Sequence, residues 1–175
     1  MPNGLALAII LLILMLFLAY IISIVLNFLS PYYTTSRKDL KQLLDTFNLK
    51  RESKFVDLGS GDGRVIFSVY KMYKCKTHGY EISPMLLIWS KLLKFLRYPF
   101  NNRVEILEKS FFKEALSQYD TIYCCLPEDI LEILEEKFEQ ELTKGTNVFT
   151  YKYKLPNKKG KEIKLKVNRV YQYTF

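Results

Sequence analysis

Hydrophobic residues follow two regimes along this chain. From Leu5 to Leu29 they fill 23 of 25 positions, interrupted only by Ser23 and Asn27, and no charge occurs. A helix of that length measures about 37 Å, enough to cross a hydrocarbon layer of about 30 Å with some tilt. A cleaved leader is basic ahead of a shorter apolar run, and neither feature is found here. A core helix is rarely apolar on every face. The pattern predicts a transmembrane helix over 5–29, a connector over 30–36 and a folded domain over 37–175.

Past the connector the apolar positions become short and periodic. Ser36 is placed to cap a helix running through Leu40, Leu43, Leu44 and Phe47. Strands are predicted at Lys54–Leu58, Thr77–Ile82, Val104–Leu107, Thr121–Leu126, Val148–Leu155, Ile163–Val167 and Val170–Phe175. Between them, Arg64–Tyr73 reads as a helix with Val65, Ile66, Val69 and Met72 on one face. Ser83 and Pro84 open a second helix with a stripe of Leu86, Ile88, Trp89, Leu92, Leu93 and Leu96. Glu128–Leu142 is an acidic amphipathic helix facing inward through Ile130, Leu134 and Phe138. Strands alternating with helices imply a mainly parallel sheet covered on both faces, and the last two strands, with no helix between them, imply an antiparallel edge.

Composition then narrows the class. Residues 31–175 hold 62 apolar residues of 145, roughly 43%, which excludes intrinsic disorder, and no second long apolar run supports a polytopic transporter. Three cysteines, two of them adjacent at Cys124 and Cys125, make a poor disulfide scaffold and fit a reducing compartment. The net charge of +8 sits mostly at the end: residues 151–175 carry eight Lys/Arg and one Glu, or +7. Those lysines alternate with apolar residues, so a solvated edge strand ranks first, contact with anionic lipid second and nucleic acid third. Basic residues follow the apolar run at Arg37, Lys38 and Lys41, and the charge rule places the amino terminus outside and the domain in the cytoplasm. The single histidine, His78, excludes His-based metal clusters and catalytic triads, and no metal is expected.

The chemistry concentrates in Asp57-Leu58-Gly59-Ser60-Gly61-Asp62-Gly63-Arg64. Three alternate glycines after a strand allow a tight turn and close backbone approach to a ligand. Arg64 stands where a dinucleotide fingerprint needs its third glycine, and the Gly-Lys-Ser/Thr ending of a P-loop is missing. Glu81, ending the second strand, is placed to accept hydrogen bonds from a ribose diol, while Asp57 suits a cationic amino group. Two carboxylates at one mouth repel a pyrophosphate, so an adenosine ligand with a charged amino acid end fits better.

Asp57–Arg64, followed by Gly79-Tyr80-Glu81, resembles the first two motifs of class I S-adenosylmethionine-dependent methyltransferases. An apolar helix followed by Pro31-Tyr32-Tyr33-Thr34-Thr35 and this turn is similar to the small membrane-anchored protein-lysine methyltransferases, which include mitochondrial enzymes acting on the ATP synthase c-subunit and the adenine nucleotide translocase. The resemblance implies an α/β fold, a Rossmann-like seven-stranded class I methyltransferase sheet with an antiparallel edge, preceded by one N-terminal transmembrane helix. It implies S-adenosylmethionine as methyl donor, bound by Asp57, Gly59, Ser60, Gly61, Asp62, Gly63, Glu81 and Ser110. It further implies a lysine acceptor in a membrane or membrane-associated protein, at the plasma membrane in a prokaryote or the mitochondrial inner membrane in a eukaryote. Two positions depart from the pattern: Ser110 stands where an aspartate often meets the adenine amino group, and Thr34 replaces the second proline of the connector.

Cys124-Cys125-Leu126-Pro127-Glu128-Asp129 lacks the Asn/Asp-Pro-Pro-Tyr/Phe run used on nucleobase amines. Glu128 is the candidate for orienting the acceptor amine, set against its plainer reading as an acidic first helical turn. The cysteines read as core. Two alternatives accompany the lysine reading: a lipid, quinone or other small-molecule acceptor at the membrane, and a non-catalytic S-adenosylmethionine-binding regulator.

Overall fold

A computed structural model of the chain describes residues 3–29 and 33–175, so Ser30, Pro31 and Tyr32 of the connector lie outside the described residues. The chain divides into two compact units, Met1–Tyr32 and Tyr33–Phe175. The first is the helix α1 (Asn3–Leu29), within which Gly4–Ile22 is long and apolar enough to cross a membrane, with a mean hydropathy of 3.2.

The second unit is built on a seven-stranded sheet of order β3-β2-β1-β4-β5-β7-β6. The strands are β1 (Lys54–Leu58), β2 (Lys76–Glu81), β3 (Val104–Glu108), β4 (Thr121–Cys124), β5 (Asn147–Tyr151), β6 (Lys161–Lys164) and β7 (Arg169–Thr174). The first five pair in parallel, whereas β7 runs antiparallel to both β5 and β6. This is the mainly parallel sheet with an antiparallel edge that the element pattern predicts, and the Rossmann-like seven-stranded form that the family resemblance implies.

Strand alternation sorts the core into two layers. Phe55, Tyr123, Phe149 and Tyr151 face α2 (Arg37–Thr46) and α3 (Arg64–Tyr73), where Leu43, Phe47, Ile66 and Val69 meet them. Val56, Leu58, Ile122 and Val148 face α5 (Glu128–Glu141) through Leu131, Leu134 and Phe138. Both cysteines of the Cys124–Cys125 pair are buried, on opposite layers. His78 packs within β2, its Nδ1 2.7 Å from the Tyr119 hydroxyl. Burial lowers its pKa and keeps it neutral, so the Glu105 carboxylate 3.9 Å away is no ion-pair partner at neutral pH.

β4 ends two residues early, at Cys124, β6 is shifted to Lys161–Lys164, and three further local expectations change. Ser83 occupies the N-cap of α4 (Pro84–Arg97), yet its hydroxyl makes no cap bond; Glu81 takes over, accepting from the Ile82 and Ser83 amides at 2.9 and 2.8 Å. The α4 stripe read from the sequence is not the packed face: Leu87 and Ser90 are buried, while Ile88, Trp89, Leu92 and Leu96 are exposed. Finally, β5 stops at Tyr151 rather than continuing to Leu155, because Lys152 adopts a φ of 76° and turns the chain. The apolar alternation continues past the turn, but Leu155 there serves the core from a loop, its amide donating to the Tyr173 hydroxyl at 2.8 Å.

Asp39 locks α2 to the far edge of the sheet. Its fully buried carboxylate accepts from the Tyr151 hydroxyl (2.6 Å) and the amides of Val167 (2.7 Å) and Asn168 (3.0 Å). Burial alone would raise its pKa, but these donors outweigh it and hold the carboxyl below its ordinary 3.8. The stability it contributes is present above that value and is lost as pH falls through the depressed one. Asp39→Asn is expected to cost about 2 kcal/mol in urea denaturation at neutral pH and to blunt the acid limb of the stability curve.

Candidate active site

The site forms where the parallel strands end. Asp57 on β1 stands in register with Tyr123 of β4 on one side and Gly79 of β2 on the other. Gly59, Gly61 and Gly63 then take φ values of +78°, +56° and +77°, a left-handed series that a side chain at these positions would strain. The Gly59 and Ser60 amides both donate to the Tyr80 carbonyl at 2.9 Å, pinning the turn onto β2. Ser60 itself turns inward over Gly79, where a Cβ would come within 2.6 Å of its Oγ; that hydroxyl is buried and has no partner among the described residues.

Glu81 ties the two motifs together. Its Oε2 accepts from the Gly61 amide at 2.8 Å, while Oε1 holds the amides opening α4. A carboxylate offers about four lone-pair sites, so the three backbone bonds leave capacity for a further donor. Asp57 has the opposite character. It is 3% exposed and takes no hydrogen bond from the described residues. Burial, together with the negative charges of Glu81 and Asp62, raises its pKa well above 3.8. A buried, unpaired carboxyl beside a glycine turn fits an incoming cation, and the remaining acceptor capacity of Glu81 fits a hydroxyl. This acceptor set suits an ammonium and a diol on one ligand and disfavours a polyphosphate. Ser110 lies beyond the end of β3, half-buried in a turn closed by its carbonyl.

Thr35 and Ser36, at the end of the connector, bond to residues around the site. The Arg64 guanidinium grips Asp62 with bonds of 2.9, 3.1 and 2.9 Å and donates another of 2.9 Å to the Thr35 carbonyl. The Thr35 hydroxyl meets that of Tyr123 at 2.6 Å, and the Ser36 amide donates to the Tyr151 hydroxyl at 3.1 Å. Tyr123 is fully buried, and burial pushes its pKa well above 10, so it stays protonated. Burial and the charge of Asp57 push the Cys125 thiol up to about 12, which removes it as a nucleophile at neutral pH. Tyr123 and Tyr151 are thus residues around the site that the sequence leaves unmarked, while Thr35 and Arg64 stand in its motifs without any sign of these contacts.

At the outer edge, Tyr33 and Tyr153 meet edge to face with centroids 6.0 Å apart. The Lys152 ammonium lies 4.8 Å from the Tyr153 ring centre and 5.8 Å from that of Tyr33. Glu128 is exposed in the first turn of α5, two residues past Leu126. Among the described residues, no cluster of three or more His, Cys, Asp or Glu side chains is arranged to hold a metal.

The strand order, with a glycine turn after β1 and an acid ending β2, defines a class I methyltransferase domain. Solved structures agree on the fold: an RNA methyltransferase from Salinibacter ruber in complex with S-adenosyl-L-homocysteine superposes with a TM-score of 0.75 at 20% identity, covering 81% of this chain and 92% of that one. A SAM-dependent methyltransferase from Thiobacillus denitrificans, in complex with the same molecule, gives 0.59 at 16% identity, over 75% and 56% of the two chains.

Residues 57–162 match the ANTKMT methyltransferase domain, and the chain belongs to that family. It is 29% identical over 126 residues, 72% of its length, to the adenine nucleotide translocase lysine N-methyltransferase of Mus musculus. It is 28% identical over 134 residues to a protein-lysine N-methyltransferase of Saccharolobus islandicus, covering 76% of this chain and 83% of that protein. Against the human ATP synthase c-subunit lysine N-methyltransferase the identity is 27%, over 73% of this chain. The chain spans about half the length of the mouse and human relatives, 54% and 53%.

Proposed function

We propose that this chain transfers the methyl group of S-adenosylmethionine to the side-chain amine of a lysine in a membrane or membrane-associated protein. The observation that carries the reading is the pairing of Asp57 and Glu81 across the glycine turn, an acceptor set matched to the ammonium and the ribose of that donor. When bound, the donor supplies an electrophilic methyl on a sulfonium, which an amine displaces in line.

The chain's own residues position and protect. Asp57 is proposed to hold the ammonium end and Glu81 the ribose hydroxyls, with Gly59, Ser60, Gly61, Asp62 and Gly63 forming the wall and Ser110 facing the base. Thr35, tied to Tyr123 and Arg64, roofs the reacting end and keeps water from it. Lysine as acceptor is supported by the names of the relatives from mouse, human and Saccharolobus, and by the outer edge itself. There Tyr33 and Tyr153 already flank a lysine ammonium, that of Lys152. Glu128 is proposed to orient the incoming amine and take its proton, in the role of general base. The acceptor's pKa near 10.4 makes that proton removal necessary before attack.

We further read α1 as a membrane span, with Arg37, Lys38 and Lys41 favouring a cytoplasmic domain. A tether of this kind raises the local concentration of enzyme around membrane-embedded acceptors. Incubating native membranes with the full chain and methyl-labelled S-adenosylmethionine tests the whole reading. Label is expected in protein and, after acid hydrolysis, in methyl-lysine. Label confined to the lipid extract would move the acceptor to a headgroup or quinone; donor binding without transfer would make the chain a regulator.

A further inference from the structure

Helix α4 is apolar on a side that nothing in its unit covers. Leu87 and Ser90 face the core, with Leu93 packed at its margin. On the opposite side Met85, Ile88, Trp89, Leu92, Phe95 and Leu96 stand in water, Ile88 69% and Phe95 65% exposed. Their spacing of three and four residues gathers them into one stripe along the helix. Every charge on α4 is basic, at Lys91, Lys94 and Arg97, and Lys91 borders the stripe one turn from both Ile88 and Phe95. The stripe continues beyond the helix ends in exposed Ile82 and Phe100, the latter 99% exposed. A bare apolar surface of this kind marks an interaction site.

We infer that α4 is an interfacial helix that lies on an anionic bilayer, with its stripe at the boundary of headgroups and acyl chains. Its makeup is that of such helices: a tryptophan and bulky aliphatic residues on one face, and a lysine, Lys91, at the border whose stem can bury while its ammonium reaches phosphate. The helix carries only positive charge, with Lys91 against the stripe, which favours acidic phospholipid over a second copy of the chain, since a protein interface core excludes lysine and an identical copy brings the same positive charge. The inference rests on reading α1 as a membrane span, which keeps the bilayer permanently within reach.

Trp89 is the only tryptophan in the chain, so its fluorescence reports on this face alone. The test uses the full chain reconstituted in vesicles of phosphatidylcholine and phosphatidylglycerol. Lipids brominated on the acyl chain are expected to quench most of the Trp89 emission, while aqueous acrylamide quenches little. Ile88→Asp combined with Phe95→Asp, both at exposed positions, should reverse the two results with the far-UV circular dichroism unchanged. Trp89 emission open to acrylamide and untouched by bromolipid in the unmodified chain overturns the inference. Emission shielded from both quenchers overturns it too, in favour of a second copy on this face. An alkaline carbonate wash reads α1 separately. A chain that resists the wash but shows an open Trp89 fails the α4 inference alone, and a chain that washes off fails the membrane-span reading.

Discussion

Glu81→Ala is expected to reduce the affinity for S-adenosylhomocysteine by at least about 100-fold, or about 2.7 kcal/mol, by calorimetry. Two losses combine. The substitution removes the acceptor proposed for the ribose hydroxyls, and charge-assisted hydrogen bonds of that kind contribute about 1.5–3 kcal/mol each. It also strands the amides of Gly61, Ile82 and Ser83, all of which end on this one carboxylate. Without it the glycine turn keeps the Gly59 and Ser60 bonds to the Tyr80 carbonyl but loses its Gly61 tie to β2, and α4 loses its N-terminal cap, so the ligand-free domain should itself lose about 3 kcal/mol in urea. Glu81→Gln separates the two effects. The amide oxygen can keep the bonds from Ile82 and Ser83, but the amino group turns a donor toward Gly61 and the ligand. Its stability should lie near that of the unmodified chain while binding stays weak. A Glu81→Gln chain that binds S-adenosylhomocysteine normally would remove Glu81 from the ribose role.

Much of this site can be read along the chain because its parts are local. The glycine turn occupies consecutive positions, and Glu81 ends the next strand, so strand periodicity brings it beside Asp57 without any knowledge of packing. Thr35 and Tyr123 meet across 88 residues of sequence, and neither has a pattern of its own. The contact depends on how the connector folds back over the sheet. Arg64 is visible as a departure from the dinucleotide fingerprint, but its grip on Asp62 and the Thr35 carbonyl emerges only in three dimensions. The stripe of α4 fails for a different reason: with apolar residues on both sides of the helix, a 3.6-residue rhythm does not say which side packs. The early end of β5 is invisible in the same way, since the alternation of Tyr153 and Leu155 continues through the turn at Lys152. Periodicity specifies a face only where the opposite face is polar.

Asp57→Asn should stabilise the ligand-free chain and weaken its grip on the donor at the same time. In the folded chain the Asp57 pKa is raised well above 3.8, first by burial and then by the charges of Glu81 and Asp62. The native state therefore holds a proton that the unfolded chain has released. By linkage, the stability associated with this group is complete below the unfolded value and is lost as pH rises through the raised folded one, at up to about 1.4 kcal/mol per pH unit between the two. Asparagine keeps the shape and carries no charge, so the loss disappears, and the thermal midpoint at neutral pH should rise by several degrees, equivalent to about 1–3 kcal/mol. Donor binding reverses the sign. An ammonium placed against Asp57 favours its ionised form, so binding expels the proton and affinity should climb as pH rises from 3.8 toward the raised value of the folded chain. That climb ends once Asp57 is ionised in the free chain. Asp57→Asn should bind about 10- to 100-fold more weakly at the upper end of this range, with a flat pH profile and no proton release in calorimetry across buffers of different ionisation enthalpy. A substituted chain that is less stable than the original would mean that Asp57 is already paired when the ligand is absent. A flat profile in the original chain would mean that the ammonium binds elsewhere. The opposite movement of stability and affinity is what a carboxyl left unpaired for its ligand requires, since a group satisfied within the fold would lose both together.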